Sequence, residues 1–151
     1  MTATVTRRSV LTLGAAAFVT GIVGLPARPA WSAEIADTIK EFTGGAEPQT
    51  GRVSIDAPEI AENGNTVPIG ISIESPMTSD DYVADVIILA AGNPNPGVAT
   101  FHFSPMSGEA TAQTRMRLAK TQDIVAIAKM SDGSFYMDKR TVKVTIGGCG
   151  G

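Results

Sequence analysis

One side chain in this sequence can be covalently loaded and unloaded: Cys149, the single cysteine among 151 residues. It stands in Gly147-Gly148-Cys149-Gly150-Gly151, directly after the strand-like run Val144-Thr145-Ile146. Cysteine sulfur forms reversible persulfides and mixed disulfides. The four glycines Gly147, Gly148, Gly150 and Gly151 lack the Cβ that restricts a backbone, so a thiol among them can enter a narrow channel and withdraw. Five extended residues reach up to roughly 17 Å. An unperturbed thiol has a pKa of about 8.5 and is only a few per cent thiolate at neutral pH. The nearest cation along the chain, Lys143, belongs to the preceding strand, so activation is expected from whatever protein receives the tail. Such a segment has the design of a group carrier.

No other set of residues forms a comparable constellation. A metal centre needs several converging His, Cys or carboxylate ligands, and the chain has one histidine and one cysteine. No metal and no cofactor are therefore expected. His102 alternates with Thr100 and Ser104 on the polar face of a strand and reads as a solvated surface histidine. Asp80-Asp81 reads as a polar turn, not an acid–base dyad. Met77, Met106, Met116, Met130 and Met137 are scattered, which does not describe a copper-binding cluster. No phosphate-cradling glycine loop precedes a helix. Lys139-Arg140 interrupts the last strand, where the apolar face switches from Phe135 and Met137 to Val142, Val144 and Ile146, so a β-bulge is expected there. No catalytic residue emerges.

The body that positions the tail follows a leader. Thr6-Arg7-Arg8-Ser9-Val10-Leu11 opens an uncharged apolar run to Leu25, and small residues follow at Ala30, Ser32 and Ala33. A basic start, an apolar stretch and a small-residue zone describe a secretory signal peptide. The paired arginines point to the twin-arginine route, with Val10 in the place usually taken by Phe. The run is shorter than the roughly 20 residues that span a bilayer. Residues 1–33 are thus expected to be a cleaved signal, cut near Ser32 or Ala33, leaving a periplasmic protein without membrane attachment. In that compartment a lone cysteine is either an intermolecular crosslink or a reactive thiol. Arg7, Arg8 and Arg28 leave with the signal, so nine of the twelve basic residues face all fifteen acidic ones, a net charge of −6. Without a phosphate-neutralising face, nucleic acid is not an expected partner.

Residues 34–146 read as one domain. Ile35, Ile39 and Phe42 fall at i, i+4 and i+7 of a short helix from Glu34 to Phe42, with Gly44-Gly45 as its stop. From Val53 onward the period is two. Val67, Ile69, Ile71 and Ile73 alternate with polar or small residues, and Pro68 predicts an edge or strand start. The unbroken run Val86-Ile87-Ile88-Leu89 suits a central strand covered on both faces. Further strands follow near Ala99–Phe103, Ala110–Leu118 and Ile124–Met130, and Asp132-Gly133 signals a hairpin into a last strand from Phe135 to Ile146. About seven strands with little helix predict an all-β, immunoglobulin-like antiparallel sandwich with a short N-terminal helix. Residues 147–151 are expected to be a flexible carrier tail.

The terminal motif on an exported β-sandwich resembles the SoxY family, the carrier subunits of the bacterial Sox thiosulfate-oxidation system. The resemblance spans signal, domain and tail, but Gly147-Gly148-Cys149-Gly150-Gly151 carries nearly all its specificity, and only Cys149 transfers as the functional residue. It implies covalent attachment of thiosulfate-derived sulfur to Cys149 in a protein that is acted on by enzymes without being one. It implies a heterodimer with SoxZ. Transient partners would be a c-type cytochrome that attaches thiosulfate, a hydrolase that removes sulfate, and a molybdenum dehydrogenase that oxidises the remaining sulfur. The residues alone leave two other readings open. One is an exported structural or adhesive sandwich with an incidental or crosslinking cysteine. The other is a ubiquitin-like carrier using the Gly150-Gly151 carboxylate, against which the export signal and strand count both argue.

Overall fold

The computed structural model describes residues 33–148; the signal-peptide reading and Cys149, Gly150 and Gly151 lie outside the described residues. Helix α1 (Ala33–Thr43) is followed by nine strands: β1 (Gln49–Thr50), β2 (Val53–Asp56), β3 (Ile60–Asn63), β4 (Val67–Ile73), β5 (Val83–Ala90), β6 (Gly97–His102), β7 (Ala110–Met116), β8 (Gln122–Met130) and β9 (Phe135–Ile146). A short 3-10 turn, Pro105–Ser107, joins β6 to β7. The strands form two layers. The larger sheet runs β1-β9-β8-β5-β6, with β3 also on β9, and the smaller runs β2-β4-β7. This is the expected sandwich.

The alternating strands close the main core between the sheets. Val67, Ile69, Ile71 and Ile73 of β4 face Val86, Ile88, Ala90, Ile124, Ala126 and Ala128 of the larger sheet. In the second half of β5 the odd-numbered residues point the other way. Ile87 and Leu89, with Val125, Ile127 and Phe135, form a second cluster around Ile35, against which Ile39 and Phe42 pack. An unbroken apolar run is thus what a strand needs when a sheet covers one face and a helix the other. Phe42 meets Phe135 edge-on at 5.9 Å between ring centres. The helix stops where Gly44 and Gly45 take positive φ, and the Gly45 N–H donates to the Lys40 carbonyl at 3.0 Å, as in a left-handed C-cap.

Two strands escape the sequence pattern. β1 and β3 each pair in parallel with one half of β9, Gln49 opposite Tyr136 and Ile60 opposite Lys143. Between them β2 pairs with β4 in the other sheet. Residues 49–63 therefore cross from one layer to the other and back, a corner found in orthogonal and barrel-like sandwiches. Neither short strand has an apolar alternation of its own. The backbone edge of β9 selects them.

The bulge expected at Lys139-Arg140 is not there. β8 and β9 pair in unbroken register from Gln122 opposite Val142 to Lys129 opposite Phe135. The switch in apolar face has another cause. Phe135 and Met137 lie on the outer face under the helix, whereas Val142 and Val144, on the inner face, join the main core. A regular strand changes its apolar parity because different layers cover its two ends. Pro68 behaves as expected: β2 ends at Asp56 opposite Gly70, so the start of β4 is paired on one side only, with Arg115 of β7 opposite Pro68. The Asp132-Gly133 hairpin is also present. Asp132 accepts the backbone N–H of Ser134 at 2.8 Å and its hydroxyl at 2.6 Å.

Candidate functional site: the base of the cysteine tail

The end of β9 continues as an ordered ribbon for two residues beyond Ile146. The Val144 N–H donates to Thr121 Oγ1 at 2.9 Å. The Ile146 carbonyl accepts the N–H of Gly64 at 2.7 Å, and the Gly148 N–H donates to the Leu118 carbonyl at 2.9 Å. Alternate residues 144, 146 and 148 are thus each tied down, as in a strand. The Leu118 N–H completes the set by donating to the Gly64 carbonyl at 2.8 Å. Gly147 and Gly148, expected at the start of a free tail, are seated between the Gly64 turn and the β7–β8 loop. Gly148 is buried.

Glycine is needed here for space. A Cβ on Gly147 would fall on the Ala119 carbonyl oxygen, well inside van der Waals contact. One on Gly148 would come 2.7 Å from the Gly64 carbonyl oxygen and 3.0 Å from Asn65 N. One on Gly64 would fall on the Leu118 carbonyl oxygen and lie 2.7 Å from Gly148 N. Three backbones meet at this point, closer than any side chain permits. The sequence pointed to two of these glycines and missed Gly64. Its one trace is the turn-like Asn63-Gly64-Asn65.

The β7–β8 loop that holds Gly147 and Gly148 is itself held. Asn93, from the turn cluster after β5, donates through Nδ2 to the Arg117 carbonyl at 2.8 Å, and its Oδ1 accepts the Ala119 N–H at 3.0 Å. Gln122 is buried, with 7% of its surface exposed. Its Nε2 donates to Asn93 Oδ1 at 2.7 Å and to the Lys120 carbonyl at 3.1 Å, while its Oε1 accepts the Gly92 N–H at 2.6 Å. A buried amide must satisfy its donors and acceptor, and Gln122 does so by joining two loops. Asn93 and Gln122 had no functional reading in the sequence, because an amide signals its role only through its partners.

The remaining candidates lie elsewhere. His102 is exposed and its Nδ1 is 2.6 Å from Asp85 Oδ1 across the β5–β6 pair, a surface pairing as its polar strand face implied. Asp81 is 3.5 Å from Arg52 in a bend, and Asp80 accepts from Ser79 at 3.5 Å. The guanidinium of Arg52 also lies 5.2 Å from the centre of the Tyr136 ring. Among the described residues no group of three or more His, Cys, Asp or Glu is placed to hold a metal. The site that the fold builds is the platform that holds Gly148, the residue directly before Cys149 in the sequence.

The comparisons with known proteins cover most of the folded body. Residues 39–149 match the family described as sulfur oxidation protein SoxY, a span ending on Cys149. Among solved structures, the sulfur carrier protein SoxY from Chlorobium limicola f thiosulfatophilum is 32% identical with a TM-score of 0.63, over 73% of this chain and 90% of that one. A superoxide reductase (neelaredoxin) from Ignicoccus hospitalis, 19% identical with a TM-score of 0.56, covers 62% of this chain and 80% of its own. A putative superoxide reductase from Thermotoga maritima, also 19% identical, has a TM-score of 0.53 over 68% of this chain and 89% of that one. At such identities these two show a shared sandwich fold only. No curated protein matches the chain significantly. With most of its length matched to the family, and a solved member about one-third identical to it, the chain belongs to the SoxY family of sulfur oxidation proteins.

Proposed function

We propose that this chain is a periplasmic sulfur carrier that holds thiosulfate-derived intermediates on Cys149 and presents them to the enzymes of sulfur oxidation. The observation that carries the reading is the platform of Gly64, Leu118 and Gly148, which ties the backbone one residue before the only thiol. Backbone hydrogen bonds thus fix Gly148, the residue directly before the cysteine, in a packing that only glycine permits. Membership of the SoxY family supports the chemistry.

Joining the Cys149 thiol to the outer sulfur of thiosulfate forms an S–S bond and releases one proton and two electrons. The two electrons need an acceptor, and the c-type cytochrome implied by the family meets that need. Hydrolysis of the product then releases sulfate and leaves a persulfide for the molybdenum dehydrogenase. The chain supplies the thiol and its presentation, and the partners supply the catalysis. A SoxZ subunit is the proposed stable partner, and a cleaved twin-arginine signal over residues 1–33 the proposed route to the periplasm. The family match begins at residue 39, after the proposed leader.

Intact-mass analysis of the protein from cells oxidising thiosulfate is the direct test. Reductant-labile sulfur adducts are expected on Cys149 and absent from Cys149→Ser. Unmodified thiol throughout active oxidation would refute the reading, and a dimer linked through Cys149 with no sulfur adduct would favour a crosslinking sandwich.

A further inference from the structure

β6 is an outer strand of the larger sheet, paired with β5 on one side and, among the described residues, with no strand on the other. Its register with β5 is regular from Ala99 to His102. The Phe103 N–H donates to the Ala84 carbonyl at 2.8 Å, so by alternation Thr100 and His102 turn their backbone N–H and C=O groups to the free edge. Proteins blunt such edges with charges, prolines or very short strands. The other outer strands follow that rule: β1 has two residues, β2 ends on Asp56, β3 carries Glu62 and β7 carries Arg115. Gly97-Val98-Ala99-Thr100-Phe101-His102 contains no Asp, Glu, Lys, Arg or Pro. The surfaces beside this edge are apolar on both faces of the sheet. Toward the smaller sheet, Phe101 and Phe103 are only half-buried, their ring centres 6.5 Å apart. On the outer face a groove of about 350 Å³ separates β6 from α1, lined by Thr38, Ile87, Leu89, Val98, Ala99 and Thr100. The helix flank that meets this groove is acidic. Glu34 and Glu41 stand four residues before and three after Thr38, hence on its side of the helix, and both are exposed. Lys40, the one cation of α1, falls on the opposite flank.

We propose that the free edge of β6 is a strand-addition site for a basic, extended segment of a partner protein. The proposal goes beyond the carrier reading and uses no part of the cysteine tail. In strand addition, main-chain hydrogen bonds supply affinity and pockets for alternate side chains supply selectivity. Here the outward groups of Thr100 and His102 would make the bonds. An added strand runs about 4.8 Å from β6. One set of its side chains then covers the half-buried Phe101 and Phe103, and the other set meets the groove beside α1. Lysine or arginine at the ends of the segment would face Glu34 and Glu41. The acid on the β5 side, Asp85, is already held by His102 at 2.6 Å. Charge also decides between a partner and a second copy of this chain. A second copy brings the same two glutamates and a net negative charge of its own, so self-pairing is opposed where a basic segment is attracted.

The test uses the purified protein and two synthetic peptides, Ac-KKVTVLVTVKK-NH2 and its acidic counterpart Ac-EEVTVLVTVEE-NH2. Both place valine on one face and leucine on the other, and they differ only in the charge of their ends. Affinity is measured by fluorescence anisotropy in low salt, and the contact is located by amide NMR. The basic peptide is expected to bind at least about tenfold more tightly than the acidic one, and to slow hydrogen exchange at the Thr100 and His102 amides. Thr100→Pro removes one outward donor, and an outer strand tolerates proline on that side. It is expected to keep the fold and weaken the basic peptide at least about fivefold. Glu34→Gln/Glu41→Gln, on the exposed side of α1, is expected to weaken that peptide about threefold and leave the amide pattern unchanged. No binding of the basic peptide, equal binding of both peptides, or protection away from β6 would overturn the proposal. A protein that instead dimerises, with the dimer lost in Thr100→Pro, would make a second copy the occupant and overturn it equally. Sulfur loading plays no part in the readout, so the carrier reading stands or falls separately.

Discussion

Gly64→Ala puts the packing at the tail base to its hardest test. The new Cβ would lie far inside van der Waals contact of the Leu118 carbonyl oxygen and press on Gly148 N and on Val144 Cγ1, 2.7 and 3.0 Å away. Two of these neighbours are backbone atoms, so no rotamer change relieves the clash, and the β7–β8 loop and the Gly148 ribbon must move apart. That separation breaks the Leu118-to-Gly64 and Gly148-to-Leu118 hydrogen bonds. At about 1 kcal/mol net each, and with buried groups left unpaired, the loss is about 2–3 kcal/mol. For a domain of this size, with about 4 °C lost per kcal/mol, the melting temperature falls by about 8–12 °C. Gly97→Ala is the control, because nothing lies within 4 Å of its Cβ position; it is expected to melt within about 2 °C of the parent protein. Thermal unfolding followed by circular dichroism measures both, and amide exchange at Gly148 reports the local opening. A Gly64→Ala protein that melts with the Gly97→Ala control and keeps Gly148 protected would refute the three-backbone packing. Gly148→Val, which a free tail would tolerate, is expected to lower stability by the same clash with the Gly64 carbonyl.

Other consequences can be checked separately. Ile35 is fully buried at the centre of the helix cluster, so Ile35→Ala is expected to cost about 2–4 kcal/mol in urea unfolding. A loss below about 1 kcal/mol would mean that α1 does not anchor to the sheet. Asp138 Oδ2 accepts the Ile55 N–H at 3.1 Å, tying β9 to β2 in the other sheet. Asp138→Ala is expected to lose about 1–2 kcal/mol, and an unchanged urea midpoint would count against that bridge. The Ser134 hydroxyl and N–H hold the Asp132 carboxyl below its ordinary pKa of 3.8. A lowered folded-state pKa stabilises the hairpin above the unfolded value, and the contribution disappears as pH falls through the folded one. Asp132→Ala should therefore differ from the parent near neutral pH and converge with it in strong acid. An NMR titration midpoint at or above 3.8 for Asp132 would contradict the bonding.

Much of this protein is legible without a structure because its signals are local. Ile35, Ile39 and Phe42 announce α1 to within a residue at each end, and the alternation of Val67 to Ile73 has the bounds of β4. The terminal motif marks Cys149 as the proposed nucleophile, since it is the single cysteine and stands among glycines. Elements whose stability is borrowed leave no such pattern. β1 and β3 form because β9 offers a free backbone edge, so Gln49-Thr50 needs no apolar residue to be a strand. The bulge inferred at Lys139-Arg140 assumed one covering layer, whereas the helix covers one end of β9 and the smaller sheet the other. The tail shows the same division. Its residue types declare a thiol on a side-chain-poor segment, and that much was determined by the sequence. Only tertiary structure decided that Gly147 and Gly148 belong to the packed body, against Gly64 and the carbonyls of Leu118 and Ala119. Hydrogen bonds between glycine backbone and a distant loop involve no side chain, so neither hydrophobic periodicity nor motif spacing can record them.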